Sequence, residues 1–252
     1  ARTALLGLVD QQPEDALAWA RLAELHLMLG DRREATAAAE RAVALQPGLG
    51  RTQSVLGFTA LAAIDTARAK AAFEQALALD SDDPMPRLGL GLAKIRQGRL
   101  EEGRGDLEAA VGLDSNNALL RAYLGKAYFE EKRGPLDATQ FGIAKELDPL
   151  DPTAYFYNAI RLQTENQPVE ALHELEASIE RNDNRAIYRS RLLLDQDRAA
   201  RGTSLARVYS GLGFYQLGLE ESRRSLTQSP ANAAAHRFLS DSYQGVRRRE
   251  IS

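Results

Sequence analysis

The sequence contains no cysteine and only three histidines. Without cysteine, the chain has no disulfide bond, no thiolate nucleophile and no cysteine-ligated metal. His26, His173 and His236 lie far apart along the sequence. A metal site needs several such ligands brought together. We therefore predict no metal site and no cofactor.

Long apolar runs and an excess of positive charge are missing as well. No stretch approaches the roughly 18 consecutive apolar residues of a membrane-spanning helix, so we predict no direct membrane insertion. Thirty-two basic residues stand against 35 acidic ones, which gives a net charge of −3. A negative chain without a recognised binding motif is a poor polyanion binder, so we exclude nucleic acid as a partner.

Sequence motifs of common catalytic sites are absent too. The chain has no GxxxxGK[ST] phosphate loop, no HExxH and no GxSxG. The glycine cluster Gly211, Gly213 and Gly218 falls at a predicted helix–helix turn, which is a structural place for glycine. We predict that the chain is not an enzyme.

A pattern of small and apolar residues recurs every 34 residues. The pair Leu22-Ala23 returns as Leu56-Gly57, Leu90-Gly91 and Leu124-Gly125. Within each unit, apolar residues at i, i+3, i+4 and i+7 predict two helices with one buried face each. The small residue of each pair lets the two helices approach closely, and Gly30 and Gly98 are expected to end first helices with a positive φ.

This pattern resembles the tetratricopeptide repeat, in which a 34-residue unit forms two antiparallel helices. The resemblance covers nearly the whole chain and implies an all-α, right-handed superhelical solenoid. We expect residues 1–183 to form a partial first repeat followed by five full units. The pattern is already under way at Ala1 and still running at Ser252, which predicts a piece of a longer protein.

The repeat register shifts once, in the last third of the chain. Repeat ends fall at residues 13, 47, 81, 115, 149 and 183, whereas the next fitting end is Pro230, 47 residues later. The interval exceeds one repeat by 13 residues. We therefore predict that about 13 residues are inserted near residues 184–196, within a segment bounded at 184–198, and that a further unit plus the first helix of the next follows over residues 199–252. Long insertions in solenoids serve function or act as packed spacers.

The resemblance implies that the first helix of each unit lines a concave groove. The family's usual lining positions are rich in methionine, aliphatic and aromatic residues, which suit an apolar peptide or helix laid in a groove. The alternative is that neighbouring helices, or another part of the parent protein, cover these side chains. The predicted partner-binding residues are Leu17, Phe58, Met85, Leu88, Leu92, Ile95, Leu119, Phe129, Phe156 and Ile160.

Arginines concentrate near the predicted insertion and after it. One interpretation is a solvated, salt-bridged surface. The other is a set of contacts to an anionic partner, for which the candidates are Arg189, Arg191, Arg207 and Arg237.

Together these features predict a non-enzymatic scaffold that binds a protein or peptide segment in its groove. A structural spacer or assembly domain that self-associates end to end is one alternative, and a regulatory module for an enzyme or transport barrel elsewhere in the polypeptide is another. The segment from Arg185 to Tyr243 is similar to one that follows helical repeats in large exported bacterial proteins of the outer membrane. That similarity favours the bacterial periplasm or cell envelope, with the cytoplasm as the alternative.

Overall fold

A computed structural model describes residues 2–181 and 192–245 of the chain. They form two compact units: unit 1 comprises residues 2–149, and unit 2 comprises residues 150–181 and 192–245. The described residues contain fourteen helices and no strand. In unit 1 they are α1 (Arg2–Gln11), α2 (Ala16–Leu29), α3 (Arg32–Leu45), α4 (Gly50–Ala62), α5 (Thr66–Leu79), α6 (Pro84–Arg96), α7 (Leu100–Leu113), α8 (Ala118–Glu130) and α9 (Leu136–Leu147). In unit 2 they are α10 (Pro152–Thr164), α11 (Pro168–Glu180), α12 (Leu192–Gly211), α13 (Tyr215–Gln228) and α14 (Ala233–Gly245).

Helices of unit 1 pack in consecutive antiparallel pairs. We call α2, α4, α6 and α8 the first helices, and α3, α5, α7 and α9 the second helices. Each first helix packs on the second helix that follows it, and α3, α5 and α7 also pack on the next first helix. The predicted all-α solenoid of helix pairs is confirmed.

Short polar side chains set where several helices begin. The Asp15 carboxylate accepts hydrogen bonds from the N–H groups of Leu17 and Ala18 at 2.9 and 3.0 Å. Asp65 caps α5 in the same way by accepting a hydrogen bond from the N–H of Arg68. Such a cap satisfies a backbone donor that the helix itself leaves unpaired. Asp31 precedes α3 but makes no capping bond.

Each first helix of unit 1 is followed, within two residues of its end, by a residue with left-handed backbone geometry. These residues follow one another at intervals of 34, and Asn166 continues the series in unit 2. The next left-handed residue is Gly213, 47 residues further on. Only half of the positions are glycine: the series is Gly30, Ile64, Gly98, Lys132, Asn166 and Gly213.

The core of unit 1 is built by large second-helix side chains that meet glycine on first helices. Phe73 of α5 is fully buried. A Cβ at Gly57 of α4 would lie 2.5 Å from its ring, and a Cβ at Gly89 of α6 would lie 2.1 Å away. A Cβ at Gly125 of α8 would likewise lie 2.7 Å from the ring of Phe141 in α9. The predicted role of small residues in close helix packing is confirmed.

Ion pairs connect neighbouring repeats across the packed helices. Arg68 of α5 contacts Glu40 of α3 at 2.5 Å, with both side chains about half exposed. Arg104 of α7 reaches Glu131, just after α8, with Nε at 2.8 and 3.1 Å from its two carboxylate oxygens. In the second pair both partners are largely buried. Solvent screens the buried pair less, and removal of Arg104 would leave Glu131 buried without this partner, so we expect the loss of Arg104 to cost more than the loss of Arg68.

Unit 2 has its own apolar core between α10, α11 and α12. Ala159, Leu162, Leu175, Leu205 and Val208 are buried there together. Its helix α12 runs for 20 residues and begins at Leu192. Residues 192–198 of the predicted insertion are therefore helical and continuous with the helix that follows. Residues 184–191 of the predicted insertion lie outside the described part of the chain.

Candidate partner-binding surface

The first helices of unit 1 lie side by side, with α4 in contact with both α2 and α6. The second residue of each first helix therefore forms a row along this face. The row consists of Leu17, Arg51, Met85 and Leu119, each 34 residues from the next. Leu17 is 53% exposed, and Met85 and Leu119 are half-buried against the core. Three of the four members of the row are thus apolar side chains that reach the surface.

Phe58 and Leu88 are core residues, and their predicted role as partner contacts needs correction. Phe58 is 7% exposed and Leu88 is 2% exposed. The Phe58 ring packs edge-on against Phe73, with ring centroids 4.9 Å apart. Gly57 and Gly89 admit the Phe73 ring between α4 and α6, and this ring provides the buried surface on which Phe58 packs. Neither side chain is available to a partner.

The remaining predicted contacts of unit 1 differ in how much surface they offer. Leu92 is half-buried and packs on the same core as Met85 and Leu119. The Ile95 side chain packs against α7. A Cβ added at Gly103 of that helix would lie 2.6 Å from Cγ1 of Ile95. Phe129, near the end of α8, is half-buried. Leu17 and Phe129 are the predicted contacts of this unit outside its core clusters.

Positive side chains accompany the apolar row. The carboxylate of Glu24 is 1% exposed and contacts two guanidinium groups, those of Arg21 at 2.7 Å and of Arg51. Arg96 donates from Nη1 to the carbonyl oxygen of Leu61 at 2.6 Å. Glu24 thus links an arginine of its own helix α2 to an arginine of the next first helix, α4. The sequence analysis did not identify Glu24 as a residue that links two helices. A signal for it exists, because Glu24 and Arg51 are 27 residues apart, and the ion pair of Arg104 and Glu131 has the same spacing.

Burial and hydrogen bonding shift the ionisation of two groups between α7 and α8. Tyr128 donates its hydroxyl proton to Glu108 at 2.8 Å, and the same carboxylate oxygen accepts from Arg104 at 2.7 Å. Burial, and then the bond to Glu108, raises the pKa of Tyr128. Burial alone would lower the pKa of Arg104, but Glu108 and Glu131 outweigh it and raise that pKa. Both groups keep their protons at neutral pH, so this is a structural network.

The predicted contacts of unit 2 divide between surface and core. Phe156 and Ile160 of α10 are half-buried, and Phe156 packs against the apolar core of the unit. Arg207 and Arg237 are exposed. Arg189 and Arg191 lie outside the described residues.

Unit 2 also contains a cavity that sequence reasoning missed. It has a volume of about 380 Å³ and opens between α11, α12 and α13. Its lining includes Tyr209, three glutamates and one arginine. Burial, followed by the nearby carboxylates of Glu176 and Glu221, raises the pKa of Tyr209. No sequence motif marks the cavity, because its walls come from three helices whose packing brings them together.

The family model of the tetratricopeptide repeat matches residues 56–118 and 88–152. Residues 56–152 of this chain are thus similar to the tetratricopeptide repeat family. No curated protein matches the sequence. Tetratricopeptide repeats typically form protein–protein interaction scaffolds without catalytic activity, and proteins that contain them bind protein or peptide partners.

Several solved structures share the fold of this chain. The Cut9–Hcn1 hetero-tetramer of the APC/C has a TM-score of 0.77 and 20% identity, covering 94% of this chain and 45% of that one. PilW, a widely conserved type IV pilus biogenesis factor, has a TM-score of 0.68 and 17% identity, and the match covers 89% of this chain and 98% of the PilW chain. PilF of Pseudomonas aeruginosa has a TM-score of 0.62 and 16% identity, and the match covers 92% of this chain and 99% of the PilF chain. At these identities the likeness shows the fold alone.

The described residues contain no group of three or more histidine, aspartate or glutamate side chains placed to hold a metal ion. None of their helices is both long enough and apolar enough to cross a membrane.

Proposed function

We propose that the first-helix surface of unit 1 binds a segment of a partner protein. The observation that carries the proposal is that three of the four first helices carry an apolar side chain at the same position, namely Leu17, Met85 and Leu119. Apolar side chains exposed in a line on a folded surface are typical of interaction sites. The repeat fold supports the same interpretation, because stacked helix pairs present long surfaces to peptides.

Within this surface, Leu17 and Phe129 are the residues to test first. Both reach solvent and both lie outside the core clusters, so their replacement should leave the fold intact. Met85, Leu92 and Leu119 pack on the core, and changing them would confuse loss of binding with loss of stability. Phe129 is the expected dominant contact, since buried aromatic side chains carry much of the affinity of protein interfaces.

The proposal is tested by selecting binders from a displayed library of random 16-residue peptides and measuring their affinities by fluorescence polarisation. Phe129→Ser should weaken binding by about tenfold or more, the usual size of a hot-spot loss, and Leu17→Ser should weaken it less. The matched control is Leu113→Ser, because Leu113 is 44% exposed but lies on second helix α7. Affinities unchanged by both test variants, or lowered equally by the control, would contradict the proposal.

A second candidate function is self-assembly through unit 2. Phe214, Tyr215 and Leu217 are 55%, 66% and 45% exposed around the start of α13. Three large exposed apolar residues so close together form a patch that a second copy of the chain could cover. Sedimentation velocity should show concentration-dependent association that Phe214→Ser combined with Tyr215→Ser removes. A monomer at all concentrations would exclude this candidate.

A further inference from the structure

The cavity of unit 2 brings polar groups from three helices to one place. Helix α11 contributes Glu176 and Glu180, α12 contributes Tyr209, and α13 contributes Glu221 and Ser225. Its volume of about 380 Å³ falls within the range of known ligand pockets, roughly 300–1,000 Å³. Ile179 and Leu205 provide an apolar part of the wall. The cavity thus combines an apolar wall with several hydrogen-bonding groups, as ligand sites do.

One hydroxyl group in the cavity wall has no hydrogen-bond partner. Ser225 is 1% exposed, and its Oγ is buried without a donor or acceptor in reach. The Oγ lies 2.5 Å from the point where a Cβ of Gly202 would stand, and Oε2 of Glu221 lies 3.8 Å from the same point. A buried hydroxyl left unpaired costs free energy. A ligand in the cavity that donates hydrogen bonds could satisfy Ser225 and Glu221 together.

The charge of the cavity indicates which kind of donor it would accept. Among the described residues of the lining there are three carboxylates and one guanidinium, that of Arg224, which contacts Glu221 at 2.7 Å. Outside the lining, Arg181 lies 3.7 Å from Glu180 and His173 lies 4.0 Å from Glu176. The Glu221 side chain is only 16% exposed, so its charge is weakly screened. The described residues of the lining carry a net negative charge, which favours a cation.

The geometry points to a receptor site in this cavity for an arginine side chain of a partner protein. A guanidinium group is planar and has five N–H donors, enough to serve Glu176, Glu221 and the Ser225 hydroxyl at once. Its flat face can stack on the Tyr209 ring, and its aliphatic stem fits the apolar wall. The site belongs to unit 2 and uses none of the residues proposed for partner binding on unit 1. Failure of one proposal would therefore not contradict the other.

The test is a ligand-observed NMR titration of the whole 252-residue chain with the tripeptide N-acetyl-Gly-Arg-Gly-amide. We expect saturable binding, and none for the tripeptide in which neutral citrulline replaces arginine. Glu221→Gln should weaken binding by about tenfold, the usual size for a hydrogen bond to a charged group. Glu220→Gln is the matched control, because Glu220 is an exposed neighbour on α13 that does not line the cavity.

Ser225→Ala separates a binding role from a structural one. It removes a buried hydroxyl that has no partner, so the melting temperature should stay the same or rise while the affinity for the arginine tripeptide falls by about threefold or more. Equal binding of the citrulline tripeptide, no saturable binding, or an unchanged affinity in Ser225→Ala would each overturn the proposal. Free arginine binding as tightly as the tripeptide would overturn its assignment to a partner protein.

Discussion

Replacing Gly89 with alanine should destabilise unit 1, although alanine is the better helix former. In an open helical position the exchange gains up to about 1 kcal/mol of helix propensity. At Gly89, however, the new Cβ would stand 2.1–2.5 Å from three atoms of the buried Phe73 ring. Overpacking of a core costs about 1–3 kcal/mol, and contacts this short in a fully buried place belong at the upper end. We expect a net loss of about 2 kcal/mol in the free energy of unfolding, which combines these two effects.

The assay is urea denaturation followed by circular dichroism, with Gly112→Ala as the matched control. Gly112 lies in helix α7, and a Cβ there would meet no atom within 4 Å. The control should therefore gain stability by up to about 1 kcal/mol. Equal stability of Gly89→Ala and Gly112→Ala would refute the argument that the Phe73 ring requires glycine at position 89.

A double-mutant cycle tests the same contact directly. Phe73→Leu removes the ring that the new methyl group would meet, so Gly89→Ala should cost less in that background. We expect a coupling free energy of at least about 1 kcal/mol, within the range measured for residues in contact. Additive effects would show that the cost of Gly89→Ala arises elsewhere.

Three further predictions concern stability. Ile64→Asn should raise the free energy of unfolding, measured in urea, by about 1 kcal/mol, because a β-branched residue at φ 67° is strained. Ile64 is 70% exposed, so the change removes little packing. No gain in stability would contradict the strain argument. Arg104→Ala should cost about 2 kcal/mol and Arg68→Ala no more than about 0.5, because only Arg104 is largely buried; equal losses would contradict this. Burial and the bond to Glu108 raise the pKa of Tyr128, so its contribution is present below about pH 10 and is lost as the pH rises through the folded-state pKa. Tyr128→Phe should therefore reduce the alkaline loss of stability in pH-dependent melting, and an unchanged slope would contradict it.

The fold could be predicted from the sequence because its determinants are local and periodic. The 34-residue recurrence of pairs such as Leu56-Gly57 fixes both the helix spacing and the sites of close approach. The turns were less predictable: glycine signals Gly30 and Gly98, but Ile64 and Lys132 adopt the same left-handed geometry. At Ile64 and Lys132 the packed helices on either side impose a backbone geometry that the side chain does not favour.

The candidate sites were harder to predict, because they depend on how far neighbouring helices approach one another. Family positions place Phe58 and Leu88 on the groove, yet both lie in the core formed around Phe73. The cavity of unit 2 depends on contacts such as that between Gly202 and Ser225, which are 23 residues apart and share no motif. Long-range contacts of this kind leave no periodic trace in the sequence.

The Phe73 ring, held between Gly57 and Gly89, also bears on how such an array can be rearranged. A duplication or recombination event that cuts the gene at a 34-residue boundary, between residues 83 and 84, separates the ring from one of its two glycines. The smallest portable module is therefore longer than the sequence period and runs from residue 50 to residue 96, three helices instead of two. Chimeras joined at residue 96 should keep this contact, whereas those joined at residue 83 must recreate it with whatever helix follows.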